Sequence, residues 1–380
     1  MFRLDTRVEA PSLIKDSDDT FVDHRIEGQL YLDYECNSLV PLRTVFEIEK
    51  HQNQKTLHGS KISFVSVSLL AVGFFCIYFF VPRSFTPELD LSYSKYIPVA
   101  CAKSLDVDFN SLYMNVQKSH NFCGSETKGK NCQCLSPLIP QARVPNFPQY
   151  WERWDATFAR NQGLATNSSN PDVVMIGDSI TEHWLGTDLG EQNPNDMQVK
   201  KIFDKLFVNG DVHGLALGLA GDRCPQLLYR LKWGEMPDSL QPKIWWLLIG
   251  TNDLADNCSK ETILVGTIGI VMEIRKKRPD STIVVNGILP RPDNAMGVLG
   301  TREHSFWKII SWINDRISCF TDGMDRVVFF NASDIFITTE GNIDLTLMPD
   351  CLHPNGKGGD KWGTAMVEKI KEILAKETNK

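Results

Sequence analysis

Cysteine is too scarce for a disulfide-built miniature fold: the 380 residues contain 10, far below the roughly 8 to 10% that marks such scaffolds. Positive charge is in deficit as well. Lys and Arg number 40 against 47 Asp and Glu, for a formal charge of -7, so the basic excess that a phosphate backbone demands is missing and nucleic acid is excluded as a partner. Apolar residues are not plentiful enough for a polytopic membrane protein, the mean hydropathy being -0.21. Nor is there a zinc-finger spacing: CGSETKGKNCQC carries a Cys-x-Cys at Cys132 and Cys134, which reads as a disulfide element rather than a metal site. What remains is an acidic chain long enough for two or three domains at roughly 150 residues each.

One long apolar run is present. Ile62 to Val81 reads ISFVSVSLLAVGFFCIYFFV without a charge, and about twenty helical residues span the roughly 30 Å of a bilayer core. It follows sixty-one mostly polar residues, too far from the start for a cleaved signal peptide, so it reads as a signal anchor. Arg43, Lys50, Lys55 and Lys61 precede it closely, against Arg83 and Lys95 after it, which orients the N-terminus to the cytosol and predicts a single-pass type II membrane protein. Everything beyond would then lie in the secretory lumen or outside the cell. Asn-x-Ser sequons at Asn167, Asn257 and Asn331, as possible N-glycosylation sites, and eight of the ten cysteines fall on that side, as glycosylation and disulfides require. Those eight cysteines permit 105 pairings. Their placement leads us to expect at least one disulfide between two of Cys224, Cys258, Cys319 and Cys351.

The chain thus divides into a cytosolic, mostly disordered tail (1–61), the span (62–81), a Cys-containing luminal stem (82–148) and a catalytic domain (149–376). In the last part, apolar and β-branched runs predict strands at Val173 to Ile176, Leu215 to Leu219, Ile244 to Ile249, Thr282 to Leu289 and Val327 to Phe330. Helical periods lie between them and after them, at Pro225 to Lys232, Glu261 to Lys277, Glu303 to Phe320 and Asp360 to Lys376. Alternating β and α units predict an α/β domain with a mainly parallel sheet. Ligands bind such sheets outside the carboxyl ends of the strands.

Those ends carry the chemistry. The first strand runs into Gly177-Asp178-Ser179, the second into Gly218-Leu219-Ala220-Gly221-Asp222, and the third into Gly250-Thr251-Asn252-Asp253, while Asp350-Cys351-Leu352-His353 precedes the last helix. Each is weak alone. Together, on one sheet edge, they supply a hydroxyl, backbone amides beside glycine, a carboxamide and an Asp-His pair, which is a full acyl-transfer set. The order and content of these blocks resemble the SGNH hydrolases, or GDSL esterases and lipases, over roughly residues 150 to 375. The stretch from Gly218 to Asp253 resembles the branch that contains the catalytic subunits of platelet-activating-factor acetylhydrolase.

That resemblance implies a three-layer αβα, flavodoxin-like domain with a five-stranded sheet. It implies Ser179 as nucleophile, His353 as base, Asp350 as the group that orients it, and an oxyanion hole from the amides of Ser179 and Gly221 with the Asn252 side chain. No metal or other cofactor is implied. The expected partner is an acyl ester of a carbohydrate or lipid, acetyl being the favoured acyl group, with a membrane contact through residues 62–81. Two other readings stay open: an acyltransferase moving acetyl onto luminal glycans with the same triad, and a glycan-binding module that keeps only the fold.

Several neighbours have an ordinary explanation. Arg223 reads equally as a substrate contact or a salt-bridged side chain, and the aromatic cluster Tyr150, Trp151, Trp154 and Trp184 as packing more than a sugar platform. Leu345, Leu347 and Met348 read as core before acyl pocket. His183 and His213 are left outside the site.

Overall fold

The structure is a computed structural model and describes residues 105, 107–124, 132–143 and 148–378. The expected tail, the expected anchor at 62–81 and the start of the expected stem lie outside the described residues. Among the described residues no helix is long and apolar enough to cross a membrane.

Five parallel strands form the central sheet: β1 (Val173–Gly177), β2 (Gly214–Gly218), β3 (Ile244–Leu248), β4 (Thr282–Asn286) and β5 (Val327–Phe330). Their order across the sheet is β2-β1-β3-β4-β5. The winding therefore reverses at β1, so the connections that leave β1 and β3 run to opposite sides of the sheet, the switch point beside which ligands bind in such folds. The fourth strand is shorter than its apolar run. At Ile288 the backbone bonds instead to a side chain, Asn314 Oδ1 accepting from Ile288 N at 2.9 Å and Nδ2 donating to Ile288 O at 3.0 Å.

Alternation within the strands splits the core in two. Val174, Ile176, Leu217, Trp245, Leu247, Ile283 and Val285 face one side, where α5 (Cys224–Arg230), α7 (Lys260–Lys277) and α8 (Phe306–Asp322) pack. Val173, Met175, Ala216, Ile244, Trp246, Leu248 and Val284 face the other, covered by α4 (Met197–Phe203) and α10 (Gly356–Thr378). Both faces are buried, so these strands read as continuous apolar runs rather than as an alternating pattern.

The segment read as a stem is built into this domain. Its helix α1 (Phe109–Lys118) starts at Asp108, whose Oδ1 accepts from Asn110 N and Ser111 N, and buries Phe109, Tyr113 and Val116 at helical spacing. Tyr113, Val116 and Leu138 pack on Val265 of α7. Gly266 makes that approach possible, since a Cβ there would lie 2.7 Å from Cys224 Cβ and 3.1 Å from Pro137 Cβ. A disulfide from Cys134 to Cys258 closes a separation of 124 residues, which stabilises by roughly 4 to 5 kcal/mol in the chain-entropy account. Beside it, Cys123 is bonded to Cys132.

The expected disulfide among Cys224, Cys258, Cys319 and Cys351 is not formed. Cys258 takes its partner from the stem, Cys319 is disulfide-bonded outside this set, and Cys224 and Cys351 are buried thiols. Geometry explains the difference. Cys224 opens α5 and packs against Gly266, whereas Cys351 Sγ lies 3.6 Å from Ala295 O.

Candidate active site

Ser179 begins α3 (Ser179–Glu182) directly after β1. The turn is held by Asp178, whose Oδ1 accepts from Ile180 N at 3.0 Å, so the hydroxyl stands at the carboxyl edge of the sheet. Its Oγ lies 2.9 Å from His353 Nε2. His353 Nδ1 lies 2.6 Å from Asp350 Oδ2, and Asp350 Oδ1 accepts from the amides of Leu352 and His353. The tight loop is bought with backbone strain at Cys351, a non-glycine residue at φ +63°. Partial burial pushes the Asp350 carboxyl up, but the bonds from the His353 ring and amide outweigh it and hold it well below the usual carboxylate range. Asp350 is therefore ionised throughout the neutral range.

Gly221 and Asn252 meet beside this pair of loops. Gly221 adopts φ +78°, the left-handed region that favours glycine, and the Arg143 guanidinium lies over it, 2.8 Å from where a Cβ would stand. Asn252 lies in α6 (Thr251–Ala255), and its Nδ2 donates to Asp222 O at 2.9 Å. A carboxamide nitrogen carries two protons. One is thus spent on fixing the side chain to the Gly221 loop and the other can serve a ligand. The five residues singled out from the strand ends are accordingly brought to one edge.

Beneath the loops lies a buried ionic network. Arg230 on α5 is fully buried; Nε donates to Asp222 Oδ2 at 2.6 Å, Nη1 to Glu235 Oε2 at 2.5 Å and to Leu217 O, and Nη2 to Gly177 O at 2.7 Å. Trp154 Nε1 donates to Asp222 Oδ1 at 2.7 Å. Glu182 accepts from the amides of Ala220 and Gly190 at 2.8 Å each, and Asn161 Nδ2 donates to Gly218 O. The Ser179 turn and the Gly221 loop are therefore fastened to common partners. Burial pushes Asp178 up to about 7 against its bond from Ile180, and Asp253 up to about 7 against its bonds from Cys224 N.

Of the neighbours with two readings, Arg223 is ion-paired with Asp256, Trp184 is buried and stacked on Trp362, and Trp154 is buried, while Tyr150 and Trp151 are exposed. Leu347 and Met348 belong to the core and Leu345 is exposed. His213 is exposed. His183, left out of the site on sequence, lies 4.6 Å from the His353 ring, with Nδ1 3.2 Å from Asp196. Its position one helical turn after Ser179 was the available signal. Arg143 and Arg291 were also missed; no motif surrounds either. The group of candidate metal ligands found among the described residues is Cys123, Cys132 and Cys134, whose sulfurs are engaged in the two disulfides.

Residues 175–361 match the GDSL-like Lipase/Acylhydrolase family, an interval that runs from β1 through the Asp350 and His353 loop. The chain belongs to this family. This GDSL-like hydrolase is 27% identical to platelet-activating factor acetylhydrolase IB subunit alpha2 of Homo sapiens over 56% of its own length and 81% of that protein. It is 26% identical to the alpha1 subunit of Rattus norvegicus over 56% of the chain and 80% of the relative. Among solved structures, Axe2, an acetylxylan esterase from Geobacillus stearothermophilus, is similar at a TM-score of 0.38 and 15% identity, covering 53% of this chain and 95% of that one. The GDSL-like hydrolase is an enzyme that acts on ester bonds.

Proposed function

We propose that this hydrolase cleaves short acyl esters, acetyl above all, by a Ser-His-Asp mechanism on the luminal side of a membrane. The observation that carries the reading is the contact of Ser179 Oγ with His353 Nε2, backed by Asp350 on Nδ1. In it, His353 takes the serine proton as Oγ attacks the ester carbonyl, Asp350 fixes the imidazole tautomer and stabilises the imidazolium, and the proton passes to the leaving alcohol. Water then attacks the acyl-serine by the same route. The amides of Ser179 and Gly221 and the free proton of Asn252 Nδ2 stabilise the oxyanion. Replacing Asn252 by Ala is expected to reduce turnover by roughly 100- to 1000-fold, the usual cost of one oxyanion donor, with KM nearly unchanged; steady-state kinetics check both parameters.

Acetyl is favoured because the two curated relatives are acetylhydrolases by name. The test is turnover of p-nitrophenyl acetate against the octanoate by the full-length chain, where preference for octanoate would overturn the acyl assignment. Fluorophosphonate labelling of Ser179 tests the nucleophile and separates an enzyme from a glycan-binding module. Anchoring through residues 62–81 as a type II protein is supported by the uncharged apolar run, and a luminal domain by the disulfides, which persist in oxidising compartments. In the same reading Asn167, Asn257 and Asn331 accept glycans. Asn167 and Asn331 are exposed, and a mobility shift on glycosidase treatment of protein from secretory cells would test it.

A further inference from the structure

Arg143 reaches the site from the segment that sequence assigns to a stem. Its Nη1 donates to Ala220 O at 2.9 Å, and its guanidinium covers Gly221, lying 2.8 to 3.1 Å from where a Cβ would stand. Ala220 O engages a single one of its five donors, and the residue is half-exposed. Among the described residues no carboxylate lies within 4 Å of it, whereas Arg223, on the same loop as Gly221, is neutralised by Asp256. On the other flank Arg291 follows β4. Its Nη1 donates to Thr251 O at 2.8 Å and Thr251 Oγ1 at 3.1 Å, beside Asn252. It too has no carboxylate within 4 Å among the described residues, though it feels the charges of Asp178 and Asp350.

Two guanidinium groups thus hold the loop residues next to Gly221 and Asn252. The carboxylates whose charges reach the two groups, Asp222 and Asp256 for Arg143 and Asp178 and Asp350 for Arg291, have closer partners: Asp222 has Arg230, Asp256 has Arg223, Asp350 has His353, and Asp178 is bonded within its own turn. The cations that keep unused donors at this edge can then pair with an incoming anion, and a planar guanidinium with spare donors is matched to an oxyacid. In an acetyl ester the acyl group carries no charge. Any anion must therefore sit on the alcohol.

We propose that Arg143 is a specificity residue for esters whose alcohol bears a carboxylate or phosphate, with Arg291 adding to the attracting field. This rests on the esterase reading above. The stem segment then has a task in recognition, since it supplies the guanidinium that covers Gly221.

The test compares 3-acetoxybenzoate and 3-acetoxyphenyl phosphate with the neutral 3-acetoxybenzamide, using the full-length chain in detergent at low salt. The wild type is expected to favour the anionic esters in kcat/KM by roughly 10- to 100-fold, as one charge-assisted contact allows. Arg143→Gln should erase that preference, the anionic esters losing roughly 10- to 100-fold more than 3-acetoxybenzamide on top of whatever loss the freed Gly221 loop imposes on all three, and Arg143→Lys should keep part of it. A preference confined to one anionic ester identifies the recognised group as carboxylate or phosphate. Equal loss on all three esters in Arg143→Gln would overturn the proposal and leave Arg143 as a support for the Gly221 loop. Absence of anionic preference in the wild type would overturn it too. Failure to hydrolyse even the benzamide would instead overturn the esterase reading, and this inference with it.

Discussion

Ser179→Ala will lower hydrolysis of p-nitrophenyl acetate by roughly four to six orders of magnitude, the scale seen when a triad nucleophile is removed. Folding should scarcely respond. Ser179 Oγ is bonded to His353 Nε2, and losing one neutral hydrogen bond at a partly open site costs about 1 kcal/mol. The variant thus separates chemistry from structure: near-wild-type thermal unfolding with activity at background is the expected result. Asp350→Asn should fall by about 10⁴-fold, because an asparagine cannot hold the productive imidazole tautomer as a carboxylate does. Turnover by Ser179→Ala within tenfold of wild type would remove Ser179 as nucleophile.

The parts of this site that were readable in sequence share a cause. Buried parallel strands need continuous apolar runs, and the residues that end those runs must sit at the sheet edge; Ser179, Gly221 and Asn252 follow β1, β2 and β3 at such ends. Asp350 and His353 were readable because three residues suffice for a loop that closes on itself. Contacts made across sequence were not. Arg143 lies 36 residues before Ser179 in a stretch rich in Cys, Pro and Gly, and nothing local to it announces that Ala220 accepts its hydrogen bond. Helix α1 was hidden for the same reason, its ten residues being too few for a clear period beside the cysteines. The pairing of Cys134 with Cys258 depended on Leu138 docking against Val265 of α7, a packing fact without a sequence signature. Helix α4 is seven residues long and runs on into a π-helical turn at Asp204–Val208, so it is too short to show a helical period in sequence.

Arg230→Met is the second large effect, and its size should depend on pH. The substitution keeps the volume but leaves Asp222 and Glu235, both fully buried, without their counterion. Breaking a buried pair from one side typically costs about 3 to 5 kcal/mol. Burial already raises both carboxyls above their ordinary values of 3.8 and 4.5, although Arg230 pulls each back. Without Arg230 they rise further. A carboxyl whose folded pKa exceeds its unfolded one favours folding when protonated, and that contribution is lost as pH rises from the unfolded value through the folded one. The defect should therefore be fully expressed at pH 8 and shrink toward pH 5, as urea unfolding at the two values would reveal. Equal destabilisation at both would mean that packing, not charge, is what Arg230 supplies. If the variant does not fold at pH 8, the triple substitution Arg230→Met, Asp222→Asn and Glu235→Gln provides the control, since removing all three charges should recover stability. Activity should not return with it: the bonds of Arg230 to the Asp222 carboxylate and to Gly177 O hold together the two turns that carry Ser179 and the Asn252 acceptor, the Asp222 backbone carbonyl, so the triple variant is expected to fold and yet turn over substrate at least tenfold more slowly, about 1.4 kcal/mol of lost transition-state stabilisation.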